Sequence, residues 1–130
     1  MSTITYKSDI ISIAGSDGEY MTSAMVSNTG LAYDVREWAW NGKTVTRSLV
    51  VTHVASGRAI PHGTFSTPEQ CCQFIEYLNA PIHGVSVDWH KPMEEIQTQL
   101  LAHMNKYQLG DWLGITATEV REMSKQEVPA

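Results

Sequence analysis

Asn41-Gly42 joins two strand-like segments, Leu31–Trp40 and Lys43–Val54. It is the strongest short signal for a two-residue type I′ turn, because both central residues of that turn need positive φ. A hairpin closed there opposes Trp40 to Lys43, Trp38 to Val45 and Arg36 to Arg47. Side chains alternate along a strand, so Arg36, Trp38, Trp40, Lys43 and Arg47 are expected on one face. The other face carries Tyr33, Val35, Ala39 and Val50, apolar enough to face a core. Two arginines directly opposite repel unless an anion lies between them. Two indoles among guanidinium and ammonium groups are what a sheet needs to hold a base or a nucleotide, since stacking contributes ~1–3 kcal/mol per base. The competing expectation is structural: Trp38 and Trp40 in the core, with Arg36 and Arg47 snorkelling at its rim.

The rest of the first half reads as a meander of short strands. Ser8–Ala14 is followed by a turn at 15–18, and Glu19–Ser27 by a turn at Asn28-Thr29-Gly30. Beyond the hairpin, Ser56-Gly57 is another tight turn, and Arg58–His62 returns as a strand that Pro61 confines to an edge. Helices take over at Thr67-Pro68-Glu69-Gln70, a capping box with Pro at the first helical position. Cys71, Phe74, Ile75 and Leu78 then recur at one helix face, and Asn79-Ala80-Pro81 ends the element. A second helix is expected from Pro92 to Tyr107, then a short one over Leu109–Leu113 closed by Gly114. The last opens at Thr116-Ala117-Thr118-Glu119, with Ile115 and Val120 as its hydrophobic staple. The expected fold is α+β: an antiparallel meander of four to six strands over about 1–63, then three helices over about 67–127, the first packed on the sheet. At 130 residues one domain is the simplest organisation.

Charge narrows the partners. A net charge of −5 argues against general nucleic-acid binding. It is unevenly spread: from Arg36 to Arg58 four cations oppose Glu37 alone, whereas from Val85 onward seven acids oppose four cations. The middle of the chain suits an anion, and Arg58 joins Arg36, Lys43 and Arg47 as a ligand-binding candidate beside Trp38 and Trp40. No apolar run matches a membrane span, and Met1–Ser8 lacks the charged start and apolar stretch of a secretory signal, so a cytoplasmic address is expected. The adjacent thiols Cys71 and Cys72 suit buried side chains in a reducing compartment better than a redox or metal pair.

No catalytic motif is present, and no cofactor or metal is expected. The five histidines lack metal-ligand spacing, although His53 and His62 are placed to meet across the Ser56-Gly57 turn, near Arg58. Tyr33-Asp34-Val35-Arg36-Glu37-Trp38 resembles the strand motif of the small single-strand-binding coactivators of the positive-cofactor type. That resemblance implies a curved four-stranded sheet with a C-terminal helix, single-stranded DNA binding and dimerisation. It covers six residues, and the Lys-Gly motif expected before the family's helix is missing. Leu109–Thr116 resembles the turn of a helix-turn-helix, but its recognition helix would carry Glu119 and Glu122, too acidic to face phosphates. Ile13–Gly18 resembles the opening of the ribokinase-like hydroxymethylpyrimidine kinases, without their Gly-rich continuation.

Two functions from different classes follow. The first is a non-enzymatic binding protein, a homodimer, whose sheet surface holds a nucleotide or short single-stranded nucleic acid. The second is a protein-interaction module in the style of phage- or prophage-encoded inhibitors of bacterial defence, occluding a host protein or sequestering a nucleotide signal. There the acids Asp88, Glu94, Glu95, Asp111, Glu119, Glu122 and Glu127 matter more than the Trp face.

Overall fold

A computed structural model describes residues 4–15, 18–40, 42–82 and 84–126, with the side chains at 38–40, 44–46 and 124–126 outside the description. Five antiparallel strands in meander order, β1 (Tyr6–Gly15), β2 (Gly18–Ser27), β3 (Leu31–Trp40), β4 (Lys43–His53) and β5 (Arg58–Phe65), precede three helices, α1 (Pro68–Asn79), α2 (Met93–Leu101) and α3 (Lys106–Gln126). The α+β architecture therefore matches the expectation, and α1 lies on β3, β4 and β5.

Strand alternation divides the sheet's two faces. Leu31 and Val51 point to the helices, where Phe65, Phe74, Ile75, Leu78, Ile96, Leu113 and Val120 complete the main core. That core also takes Ile82, Val87 and Trp89 from the segment around Gly84, so residues on both sides of this glycine pack together. Ala32, the neighbour of Leu31, points the other way into a smaller cluster with Ile11, Ile13 and Ala24. That cluster exists because the sheet coils. Among the described residues β2 pairs with β3 only at Met25–Tyr33 and Val26–Ala32, while β1 stays with β2 throughout. The far end of the β1–β2 hairpin crosses to the β4–β5 turn, where the Ala14 N–H donates to the Gly57 carbonyl at 2.9 Å.

Local chemistry explains the element boundaries. Thr67 Oγ1 accepts from the Gln70 N–H, and Gln70 Oε1 accepts from the Thr67 N–H in return, the capping box that the sequence announces. The helical part differs from expectation. In place of a 92–107 helix and a break at Gly114, α2 stops at Leu101 and α3 runs unbroken from Lys106. A second capping box starts it: Asn105 Oδ1 accepts from the Gln108 N–H, and Gln108 Oε1 from the Asn105 N–H, both at 2.9 Å. Thr116 is buried inside α3, and Ile115 is 68% exposed, so neither a cap nor a staple forms there.

His53 locks the turn end of the sheet to the loop before α2. Its fully buried ring has Nε2 2.8 Å from the Trp89 carbonyl and 3.0 Å from that of Lys91. Carbonyls only accept, so Nε2 carries a hydrogen, while Nδ1 lies 2.7 Å from the Ser56 hydroxyl. Trp89 Nε1 in turn donates to the Leu78 carbonyl at 3.0 Å.

Two glycines test the coiled closure. Gly42 and Gly57 both have positive φ, 76° and 72°. A Cβ at Gly42 meets nothing within 4 Å, whereas one at Gly57 would lie 2.7 Å from the Ser12 carbonyl oxygen. Gly42→Ala should cost about 1 kcal/mol of backbone strain. Gly57→Ala carries the same strain plus the collision and should cost at least about 2–3 kcal/mol, read as the difference in urea midpoints.

Candidate binding arm and groove

The hairpin is real, and its register is not the simple one. Trp40 pairs with Lys43 as the turn requires, but Trp38 pairs with Thr46 and Ala39 with Thr44, leaving Val45 as the extra residue of a bulge. Everything below the bulge shifts by one. Arg36 stands opposite Ser48, and Arg47 opposite Glu37. Arg47 therefore moves to the face opposite Arg36, and Val50, paired with Asp34, leaves the helix side. The expected clash of two arginines is replaced by one ion pair, Arg47 Nε to Glu37 Oε1 at 3.5 Å, with both side chains largely exposed.

Arg36 is held from below. Its Nε lies 3.1 Å from Asp34 Oδ2, and Nη2 donates to Thr52 Oγ1 at 2.9 Å. The Thr52 hydroxyl donates to Asp34 Oδ1 at 3.3 Å. Asp34 and Thr52 are buried and Arg36 is partly exposed, so this triad forms a polar clamp across β3 and β4. The arrangement spends Arg36 on the chain's own carboxylate instead of on a ligand.

Above the clamp the hairpin loses its neighbours. β2 has left β3 after Tyr33, and β5 pairs with β4 only as far as Leu49. Residues 36–47 thus form a two-stranded arm whose strand pairs, among the described residues, are confined to its own two strands. Lys43, at the tip, is exposed. Three cations against Glu37 give the arm a charge of +2 and leave −7 to the rest of a chain whose total is −5. The orientation of the Trp38 and Trp40 side chains lies outside the described residues.

Arg58 is not part of this group. It pairs with His53, ten residues along β4 from Lys43, which puts the two about 30 Å apart at ~3.4 Å per residue. A recess of about 350 Å³ at the foot of the arm is lined by Arg47, Val35, Leu49, Ser66 and Pro68. The start of α1 offers little there to an anion, because the N–H groups of Ser66, Thr67 and Gln70 already have side-chain acceptors and Glu69 occupies the first turn.

A second site has no counterpart in the sequence motifs. Between Ala59 and Thr64, β5 places four residues against Val51 alone, a wide bulge. At its crest His62 is the one described non-glycine residue with positive φ, 65°. Bulges re-aim side chains, and this one turns His62 toward α3, where a Cβ on Gly114 would lie 3.8 Å from His62 Cε1. Arg121 holds the bulge: Nη2 donates to the carbonyls of His62 and Thr64 at 3.2 and 2.7 Å, with the guanidinium 4.9 Å from the Phe65 ring centre. The result is an open groove of about 880 Å³, lined by His62, Gly110, Asp111, Ile115, Glu119 and Arg121. Among the described residues, Asp111 and Glu119 take part in no ion pair. His53 and His62 do not meet, since one ring is sealed against the 89–91 carbonyls and the other borders this groove.

Cys71 is sealed in the core. Burial pushes the Cys71 thiol up to about 12, aided by its neighbour Cys72. A thiol so reluctant to ionise is a poor nucleophile. The Tyr6 hydroxyl, buried beside Cys72, is likewise shifted up, by burial first and by its side-chain contact with Cys72 second. Among the described residues no cluster of His, Cys, Asp or Glu is arranged to hold a metal ion, and no helix is long and apolar enough to cross a membrane.

The clamp and the surface pair should separate energetically. Asp34→Ala leaves Arg36 and Thr52 without their acceptor in a largely dry place and should cost about 3 kcal/mol. Glu37→Ala, which breaks only an exposed pair, should cost no more than about 0.5 kcal/mol in the same denaturation experiment. Comparison with protein-family models, curated proteins and solved structures found no match to this chain.

Proposed function

We propose that this chain is a non-enzymatic binding protein whose working element is the arm formed by residues 36–47, and that its ligand is a nucleotide or a short single-stranded nucleic acid. The observation that carries the reading is the arm itself, a basic ribbon that leaves both neighbouring strands and projects from an acidic body. An isolated hairpin is marginally stable in water, so a ribbon kept in this form suits a surface awaiting a partner. Trp38 and Trp40 would supply the stacking, worth about 2–6 kcal/mol for two bases. Lys43 and, on the opposite face of the ribbon, Arg47 would meet phosphates of a strand that wraps around its edge, Arg47 exchanging Glu37 for the ligand. Arg36 positions the arm through Asp34 and Thr52, and Arg58 would be reached only by a strand several nucleotides long.

A second reading, the protein-interaction module in the style of phage-encoded inhibitors, draws on a different observation. Arg36 and Arg47 already have carboxylate partners, and among the described residues the outer edges of β3 beyond Tyr33 and of β4 before Leu49 carry no strand pair. Free edges of this kind accept an added strand from another polypeptide.

Titration with oligothymidylate and with linear and cyclic nucleotides, followed by Trp fluorescence, separates the two. The binder should show saturable quenching, lost in a Trp38→Ala/Trp40→Ala variant that still folds. With two cations on phosphates, the log–log salt slope should be about −1.4 for a single strand. An unchanged spectrum with every nucleic acid and nucleotide would overturn the first reading and leave the strand-edge module.

A further inference from the structure

The groove beside α3 has the charge that the arm lacks. Asp111 and Glu119 stand on its rim outside any ion pair among the described residues, while Arg121 is committed to the His62 and Thr64 carbonyls and to Phe65. Ile115, 68% exposed, adds an aliphatic surface between the two acids. Across this stretch Gly110 and Gly114 leave α3 without side-chain bulk, so a backbone can approach closely. Arg121 also blocks the obvious alternative: by occupying two carbonyls of β5 it denies that edge to an added strand, so whatever enters must come in across the groove.

Among the described residues, the arm is the basic element that lacks a flanking strand on either edge. Its own copy cannot fill the groove. β4 meets β5 only from Leu49 onward, and the tip at Lys43 lies about 20 Å further along the same strand, away from the β5 bulge. The arm of another molecule has no such restriction, and a two-stranded ribbon is only ~5 Å between strand axes. We propose that the groove between the β5 bulge and α3 receives the β3–β4 arm of a second copy of this chain edge-on, so that Lys43, at the tip, and Arg47, on the opposite face of the ribbon, reach Asp111 and Glu119 of the groove around its edge. The contact joins different patches of the two copies, so it closes into a dimer only if each arm enters the other's groove, and otherwise extends into chains. It rests on charges near solvent, so it is weak and sensitive to salt.

Sedimentation equilibrium on the full chain tests this without any ligand. The mass should rise above the 14.5 kDa monomer at protein concentrations up to about 1 mM in low salt and return to it at about 0.5 M salt. A Lys43→Glu/Arg47→Glu variant and an Asp111→Lys/Glu119→Lys variant, checked for folding by circular dichroism, should each weaken self-association at least about tenfold. Mixed together they should form a heterocomplex, because each supplies the partner charge that the other lost. A monomer at every concentration overturns the proposal, as does association that ignores both reversals or the absence of a heterocomplex. The Asp111→Lys/Glu119→Lys chain keeps its arm intact, so nucleic-acid binding measured on it succeeds or fails separately from self-association.

Discussion

Everything distinctive about this molecule follows from how briefly β2 stays beside β3. After Val26–Ala32 and Met25–Tyr33 the two strands part. The β1–β2 hairpin is then free to swing over the sheet, bury Ile11 and Ile13 against Ala32 and seat Ala14 on Gly57. Among the described residues, the same departure leaves that edge of β3 without a paired strand from Asp34 onward. With β5 ending its pairing at Leu49, the upper half of the β3–β4 hairpin is left to itself. Coiling that stabilises one end of the sheet thus leaves a two-stranded arm at the other.

An arm so isolated needs a firm base, and the Asp34–Arg36–Thr52 clamp provides one. Three polar groups share hydrogen bonds across two strands in a place where unpaired ones would be costly. This changes the meaning of the local positive charge. Arg36 contributes to positioning, while Arg47 and Lys43, both exposed, remain within reach of a ligand or of another copy. Three of the seven acids from Val85 onward, Asp111, Glu119 and Glu122, lie on α3, and the groove beside His62 carries the first two.

Much of the fold was legible because it is written in local chemistry. Asn41-Gly42, Asn28-Thr29-Gly30 and Thr67-Pro68-Glu69-Gln70 each specify a backbone event within four residues, and the elements beside them begin or end there. The bulges were not legible. Nothing in the alternation of Lys43–Arg47 marks Val45 as supernumerary, yet that single residue sends Arg47 to the other face and dissolves the cluster expected from spacing. Gly114 misled for a related reason. A glycine costs about 1 kcal/mol in a helix and so reads as a stop, but α3 passes the His62 bulge at that point, where a small residue is an advantage. Asn105-Lys106-Tyr107-Gln108 holds a readable signal for the start of α3, at the end of the span expected as one helix from Pro92 to Tyr107. The groove itself depends on β5 and α3 meeting, which no local pattern records.

The central claim, that residues 36–47 form an arm held at its base and unsupported above it, is tested most directly by native-state amide hydrogen exchange. Amides at 37–47 should exchange through local opening, well before those of Leu49–His53 and of Leu31–Tyr33, which lie under α1 and exchange only on larger unfolding. Protection at 37–47 equal to that of the covered strands, in the monomer at low concentration, would mean that the hairpin is part of the cooperative core and that no free arm exists.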